Sequence, residues 1–388
     1  MREAFPRGAA AIVGTATYGT GVAPGLNNFD LAAHASVAAL AHAGLRPGDV
    51  DGLFTVVMDE TMAALNFADY LGIHPRFTDN CRTGGSSFQI QACIAAMALA
   101  TGQCDVALIA YGSNQRSSAG KLVPSSSRPS PWESPYRPMR PVSMYAMAAA
   151  RHMHQFGTTK EQLGAVAIAA RQWAQRNPEA FVRDELTMEG YLGARMVSDP
   201  FSARDCCLVT DGAAAVVMVR AERAKDLCKR PAYLLGGAAE TTHREMASMP
   251  DLTVTGVARA SQRAFAQAGI GVKDIDVVQL YDAFTINTIL FLEDMGFCPK
   301  GEGGRFVSDG AIAPGGRLPV NTNGGGLSCV HPGMYGLFTI IEAARQIAGT
   351  CGERQIPDTD IAVAQGNGGE LSSEAVLVLG SEATLPGA

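Results

Sequence analysis

At 388 residues the chain exceeds what one core needs, and the rough figure of about 100–200 residues per domain predicts two or three units. Hydrophobic residues make up 47% and charged residues 18%, with 43 glycines, which excludes a disordered chain. The net charge of −6 excludes general affinity for nucleic acid or anionic membranes, so an anionic ligand needs a local basic patch.

Nine cysteines without a CxxC spacing read as reduced thiols, pointing to the cytoplasm rather than to a disulfide framework or a zinc site. The apolar run near the N-terminus is too short for a signal peptide and reads as a first strand. No segment approaches the roughly 18 apolar residues of a membrane span.

In chain order, Ala9 to Thr17 predicts a strand, and Asn28 to Ala43 predicts an alanine-rich helix stopped by Gly44. Next comes LRPGDVDGLFTVV, a loop into a strand. Phe77 to Ser87, FTDNCRTGGSS, places Cys81 between a strand and a Gly-Gly-Ser-Ser turn that opens a helix. Free N–H groups and the helix dipole at such a turn favour a thiolate and can hold an oxyanion. CDVALIAYGS then reads as a buried strand.

Lys121 to Pro141 carries six prolines and predicts neither helix nor central strand. Helices are expected at Val142 to Phe156 and Glu161 to Asn177, and a strand in TDGAAAVVMV. The block from about 114 to 200 reads as an insertion that could act as a lid.

From Val257 the pattern repeats. Placing Gly44 on Gly269 brings Ala43, Leu45, Asp49, Val50 and Asp51 onto Ala268, Ile270, Asp274, Ile275 and Asp276, six identical or alike positions within nine. NGGG, LSCVHPG, a helix and the strand DIAVAQG then echo the Cys81 turn, helix and strand. Two duplicated α/β halves are expected, 1–228 (including the insertion) and 229–388.

The duplication predicts that the Cys81 turn and the turn holding His331 face one pocket. A histidine before Pro332 near a helix start is held neutral, as a base requires. His152 and His154 are two apart, do not share a helix face, and make no metal pair; no metal site is expected. Glycine loops at Gly315–Gly326 and Gly366–Gly369 lack phosphate-binding patterns and suit close backbone approach, with N–H donors for a thioester oxygen at Gly84, Gly85, Asn323, Gly325 and Gly368.

NCRTGGSS, TDGAAAVVMV, YDAF and NTNGGGLSCVHPG, in that order, resemble the thiolase superfamily, specifically its lipid-transfer-protein or sterol-carrier-protein type. The resemblance covers Ala10 to Gly380. It implies a five-layered αβαβα fold of two duplicated halves with an inserted loop domain, a homodimer, coenzyme A thioesters as substrates and no bound cofactor. It maps the nucleophile onto Cys81, the His of Gly-His-Pro onto His331, and the Asn-Glu-Ala-Phe or His-Asp-Cys-Phe motif onto Tyr281, Asp282, Ala283 and Phe284. Ala364 and Ala283 stand where the family places its second catalytic cysteine, and Cys329 is a poor substitute. Arg116, Arg137 and Arg140 are the candidates for the coenzyme A phosphates.

The leading expectation is therefore a thiolase-like acyltransferase working through an acyl-cysteine on Cys81. The alternative is a retro-aldolase on 3-hydroxyacyl-CoA, using Tyr281 as acid or base, of the kind that works with a DUF35 (OB-fold) partner protein. A third is a non-catalytic acyl-CoA or lipid-binding subunit.

Overall fold

The computed structural model describes residues 5–58, 60–119 and 131–386. Nine strands form one sheet: β1 (Ala10–Gly21), β2 (Gly52–Thr55), β3 (Phe77–Asp79), β4 (Val106–Ser113), β5 (Asp211–Arg220), β6 (Ala232–Thr241), β7 (Val277–Gln279), β8 (Ile361–Gly368) and β9 (Ser373–Gly380). Their order is β3-β2-β4-β5-β1-β6-β9-β8-β7. The helices that matter here are α1 (Asn28–His42), α2 (Ser87–Ala100), α3 (Val142–Phe156), α4 (Lys160–Gln175), α5 (Val257–Ala268), α6 (Thr285–Met295) and α7 (Gly336–Ala348).

In chain order each half starts and ends with a strand antiparallel to its neighbours and holds its parallel strands between them. β3, β2 and β4 are parallel, while β5 and β1 run antiparallel to their neighbours. On the other side β7 and β8 are parallel, and β9 and β6 antiparallel. An isolated parallel bridge, Val278 to Val320, takes the place of β3 in the second half. The halves meet where β1 and β6 pair through Ala11–Tyr233 and Ile12–Ala232.

The duplication persists in atomic detail. Gly44 and Gly269 both end their helices with positive φ, +68° and +70°. Asp49 accepts from Arg46 N at 2.8 Å, and Asp274 accepts from Gly271 N at 2.8 Å. Asp51 accepts from the amides of Asp105 and Val106, as Asp276 does from Asp360 and Ile361, tying the start of β2 to β4 and of β7 to β8. Gly14 and Gly236 let the outer helices lie close, since a Cβ would fall 2.2 Å from Ala39 O and 2.3 Å from Ala264 O.

The layering follows from which faces are apolar. α2 is buried nearly all round, with Phe88, Ala92, Ala95, Ala96 and Leu99 inside, as a helix between the two halves of the sheet must be. It packs on α7, and both helices touch strands of both halves. α1 packs on β1, β4 and β5, and α5 packs on β6 and β9. Outer helix, half-sheet, central helices, half-sheet and outer helix make five layers.

α3 and α4 match their expected ranges within two residues. α4 packs against α6 and the turn Gly325–Cys329, so the insertion reaches over the second half. Residues 120–130 of the proline-rich stretch lie outside the described residues. No described helix is long and apolar enough to cross a membrane.

Candidate active site

The site forms where loops from both halves and the insertion converge. Tyr281 follows β7 and is fixed by its amide, which donates to Gln365 Oε1 at 2.9 Å. Its hydroxyl accepts from Tyr335 N at 3.1 Å. Asp282, next in sequence, points away into the turn Gly325–Cys329, where it accepts from Gly326 N at 2.6 Å. A Cβ on Gly325, which has φ +66°, would lie 2.0 Å from Asp282 Oδ2, so glycine is required there. Burial raises the Asp282 carboxyl to about 7, against the backbone amides that hold it down.

That turn delivers His331. Its amide donates to Thr210 Oγ1 at 3.0 Å, while Leu208 N donates to Gly326 O and Cys207 N to Ala283 O. The segment 206–210 thus zips the Tyr281 segment to the His331 turn. Both ring nitrogens of His331 are buried without a partner, and burial lowers its pKa to about 4, so the imidazole is neutral. Its ring meets Tyr281 edge to face, centroids 5.5 Å apart. Burial pushes the Tyr281 phenol well above its ordinary range.

From the first half comes the loop Thr83–Gly85. A Cβ on Gly85 would lie 1.9 Å from Tyr281 Cε2, and one on Gly368 would lie 1.7 Å from Thr83 O. The two glycine loops therefore interlock. The insertion adds Tyr145 of α3, whose hydroxyl accepts from Asn367 Nδ2 at 2.7 Å and donates to Gly369 O at 3.2 Å. A cavity of about 360 Å³ results, lined among others by Tyr281, His331, Tyr145, Asn367, Cys207 and Gly85. Arg82 and Arg244, both exposed, also line it.

The expected partners are thus distributed unevenly. His331, Tyr281, Gly84, Gly85 and Gly368 share the cavity, while Asp282, Asn323 and Gly325 lie behind its wall. Asn323 accepts from Tyr335 Oη at 2.9 Å and from Gly325 N at 2.8 Å, leaving it a structural part of the turn. Cys81 is not among the lining residues. It sits in the loop before α2, which starts only at Ser87, so the helix end that was to favour its thiolate is a loop away. Burial and the Asp79 carboxylate instead raise its pKa. Among the described residues no hydrogen bond joins Cys81 to His331.

The arginines also need correcting. Arg140 is held by Glu133, Glu245 and Glu370 at 3.1, 2.5 and 2.6 Å, so its charge is already neutralised. Arg116 donates to Val209 O and lies over the Phe181 ring, away from the cavity, and Arg137 is exposed on the insertion. Arg82 and Arg244, at the cavity itself, went unread, as did Tyr145, Asn367 and Cys207. Asn367 lay within a glycine loop already singled out, and Cys207 within a conspicuous Cys-Cys pair; Tyr145 carried no signal.

Residues 238–381 match the family described as thiolase C-terminal domain-like. The chain is 35% identical to a steroid side-chain-cleaving aldolase of Thermomonospora curvata, over 97% of this chain and 98% of that one. An acetyl-CoA acetyltransferase of Methanothermobacter thermautotrophicus is 32% identical over 89% and 93%. Among solved structures, the Ltp2-ChsH2(DUF35) aldolase aligns with a TM-score of 0.88 and 34% identity, covering 97% of this chain and 98% of that one.

Proposed function

The chain belongs to the thiolase superfamily, in its lipid-transfer type, and on that premise we propose that it is a lyase that cleaves 3-hydroxyacyl-CoA thioesters by a retro-aldol reaction. The observation that carries this reading is the Tyr281–His331 contact in a cavity that Cys81 does not line. Likeness to aldolases over nearly the full length supports it.

Neutral His331 takes the proton of the substrate hydroxyl as the carbonyl forms. The bond between the α and β carbons breaks, and its electron pair enters the thioester as an enolate. Tyr281, held protonated, donates a hydrogen bond to the enolate oxygen, where a positioned donor in a dry site is worth most. The α carbon then takes a proton, releasing a shortened acyl-CoA and a carbonyl compound. Asp282 acts as a positioning residue by holding the turn that delivers His331. Arg82 and Arg244 at the cavity mouth are the groups offered to the coenzyme A phosphates.

The reading includes a homodimer and a DUF35-type partner, the latter supported by the Ltp2-ChsH2(DUF35) aldolase. Sedimentation of the purified chain and co-expression with a DUF35 protein test these two.

The test of the activity is a panel of 3-hydroxyacyl-CoA and 3-ketoacyl-CoA thioesters, with and without a DUF35 partner. Cleavage of hydroxyacyl substrates that survives Cys81→Ala and falls at least 100-fold in Tyr281→Phe is expected. Cleavage of ketoacyl substrates, with an acyl adduct that Cys81→Ala abolishes, would establish the acyltransferase instead.

A further inference from the structure

A retro-aldol cleavage needs a group to return a proton to the α carbon. Among the protic side chains that line the cavity and that the reading above does not use are the Tyr145 hydroxyl, already bonded to Asn367 and Gly369, and the thiol of Cys207. Cys207 is 8% exposed and lies opposite Ala283, whose carbonyl accepts from its amide at 2.8 Å. Cys206 and Phe284 form the adjoining antiparallel bridge. The thiol is thus carried on the segment directly beside Tyr281–Phe284, between that segment and the His331 turn.

Two further groups show that this cavity is built for a polar ligand. The ring nitrogens of His331 and Oδ1 of Asn367 line it, each buried and without a hydrogen-bond partner. Such groups are costly when left unsatisfied, and a bound polar ligand relieves that cost.

Resting on the lyase reading, we infer that Cys207 is the catalytic acid that protonates the α carbon of the thioester enolate. The Cys207 S–H bond breaks, its proton forms the new α C–H bond with the enolate pair, and a thiolate remains. His331 has meanwhile taken the hydroxyl proton, so an imidazolium and a thiolate share the cavity. Transfer of that proton from His331 to Cys207 restores both groups, and no outside donor is needed.

Tyr281 is the competing donor, but its hydroxyl is taken up by the hydrogen bond to the enolate oxygen, which leaves the thiol to supply the proton to carbon. Burial raises both groups and keeps the resting thiol protonated, as an acid must be. Tyr281 retains the hydrogen bond to oxygen.

An acryloyl-CoA probe tests the placement without requiring turnover. A thiol facing the acyl chain adds across its double bond, sulfur to the β carbon and the proton to the α carbon. Mass spectrometry of the wild-type protein is expected to show one adduct, mapped to Cys207 and absent from Cys207→Ala. Turnover of a 3-hydroxyacyl-CoA is expected to fall about 100-fold or more in Cys207→Ala. In deuterium oxide the remaining turnover of Cys207→Ala should accumulate carbonyl product ahead of α-deuterated acyl-CoA, which a purely structural defect would not cause. Cys207→Ser, nearly isosteric, serves as the folding control. Labelling at Cys81, or no labelling, overturns the placement, and undiminished turnover in Cys207→Ala overturns the catalytic role. Labelling at Cys207 without cleavage of any hydroxyacyl thioester by the wild type overturns the lyase reading and, with it, the acid role.

Discussion

The Tyr281 and His331 rings meet at 86°, with centroids 5.5 Å apart, one arriving behind a strand of the second half and the other just after the turn Gly325–Cys329 that Asp282 holds. Their contact places a protonated phenol beside a neutral imidazole in one cavity.

Because burial lowers His331 to about 4, the acid limb of kcat/KM is expected near 4 rather than near the ordinary 6.5. The unfolded chain binds the proton more tightly, so stability falls as pH drops from about 6.5 through 4, by up to about 3 kcal/mol. Urea unfolding at pH 7 and pH 4.5 should show His331→Asn losing less stability than the wild type.

Gly85→Ala should disable the site, since the new methyl would sit 1.9 Å from Tyr281 Cε2 and 2.7 Å from Asn367 O. Displacing the phenol by about 1 Å should cost around 100-fold in kcat/KM, with a stability loss of about 1–3 kcal/mol. Gly48→Ala, where a Cβ meets nothing within 4 Å, is the matched control.

Asp282 has the opposite pH sign to His331. Its folded pKa of about 7 lies above the ordinary value, so its stabilising contribution is full below about pH 4 and is lost as pH rises through 7. Denaturant midpoints measured from pH 5 to 8 should decline less in Asp282→Asn than in the wild type. Asp282→Ala, which also frees the amides of Gly326 and Leu327, should lower turnover by loosening the His331 turn.

Arg140→Met should destabilise the insertion, because it removes the cation at which three carboxylates converge. The cost should approach 3 kcal/mol, the lower end of the range of about 3–5 kcal/mol for breaking a buried pair, since the arginine side chain is 17% exposed. Thermal unfolding measures it. Limited proteolysis should cut the insertion faster in this variant.

Much of the fold was legible because local physics repeats locally. Gly44 and Gly269 stop helices, Asp49 and Asp274 close turns, and Asp51 and Asp276 bind the amides of the next strand, each at a fixed offset along the chain. Tyr281 and His331 were legible as neighbours in one cavity for the same reason, since each lies in a turn whose glycines and flanking strand announce it. Cys81 misled because a Gly-Gly-Ser-Ser turn marks where a helix opens but does not say how far ahead of that helix a thiol will hang.

The sequence by itself determined the duplicated α/β plan, the family and the two aromatic rings of the site, since turn chemistry, apolar runs and motif order act over a few residues. Tertiary structure alone decided the rest. It placed Cys207 beside Ala283, set the Tyr145 hydroxyl on Asn367, gave Arg140 to three glutamates and left Cys81 outside the cavity. Each of these contacts joins residues far apart in the chain, or depends on the path of a loop between rigid elements. Their positions, burial and proton affinities exist only once the sheet halves close on the central helices and the insertion packs over them.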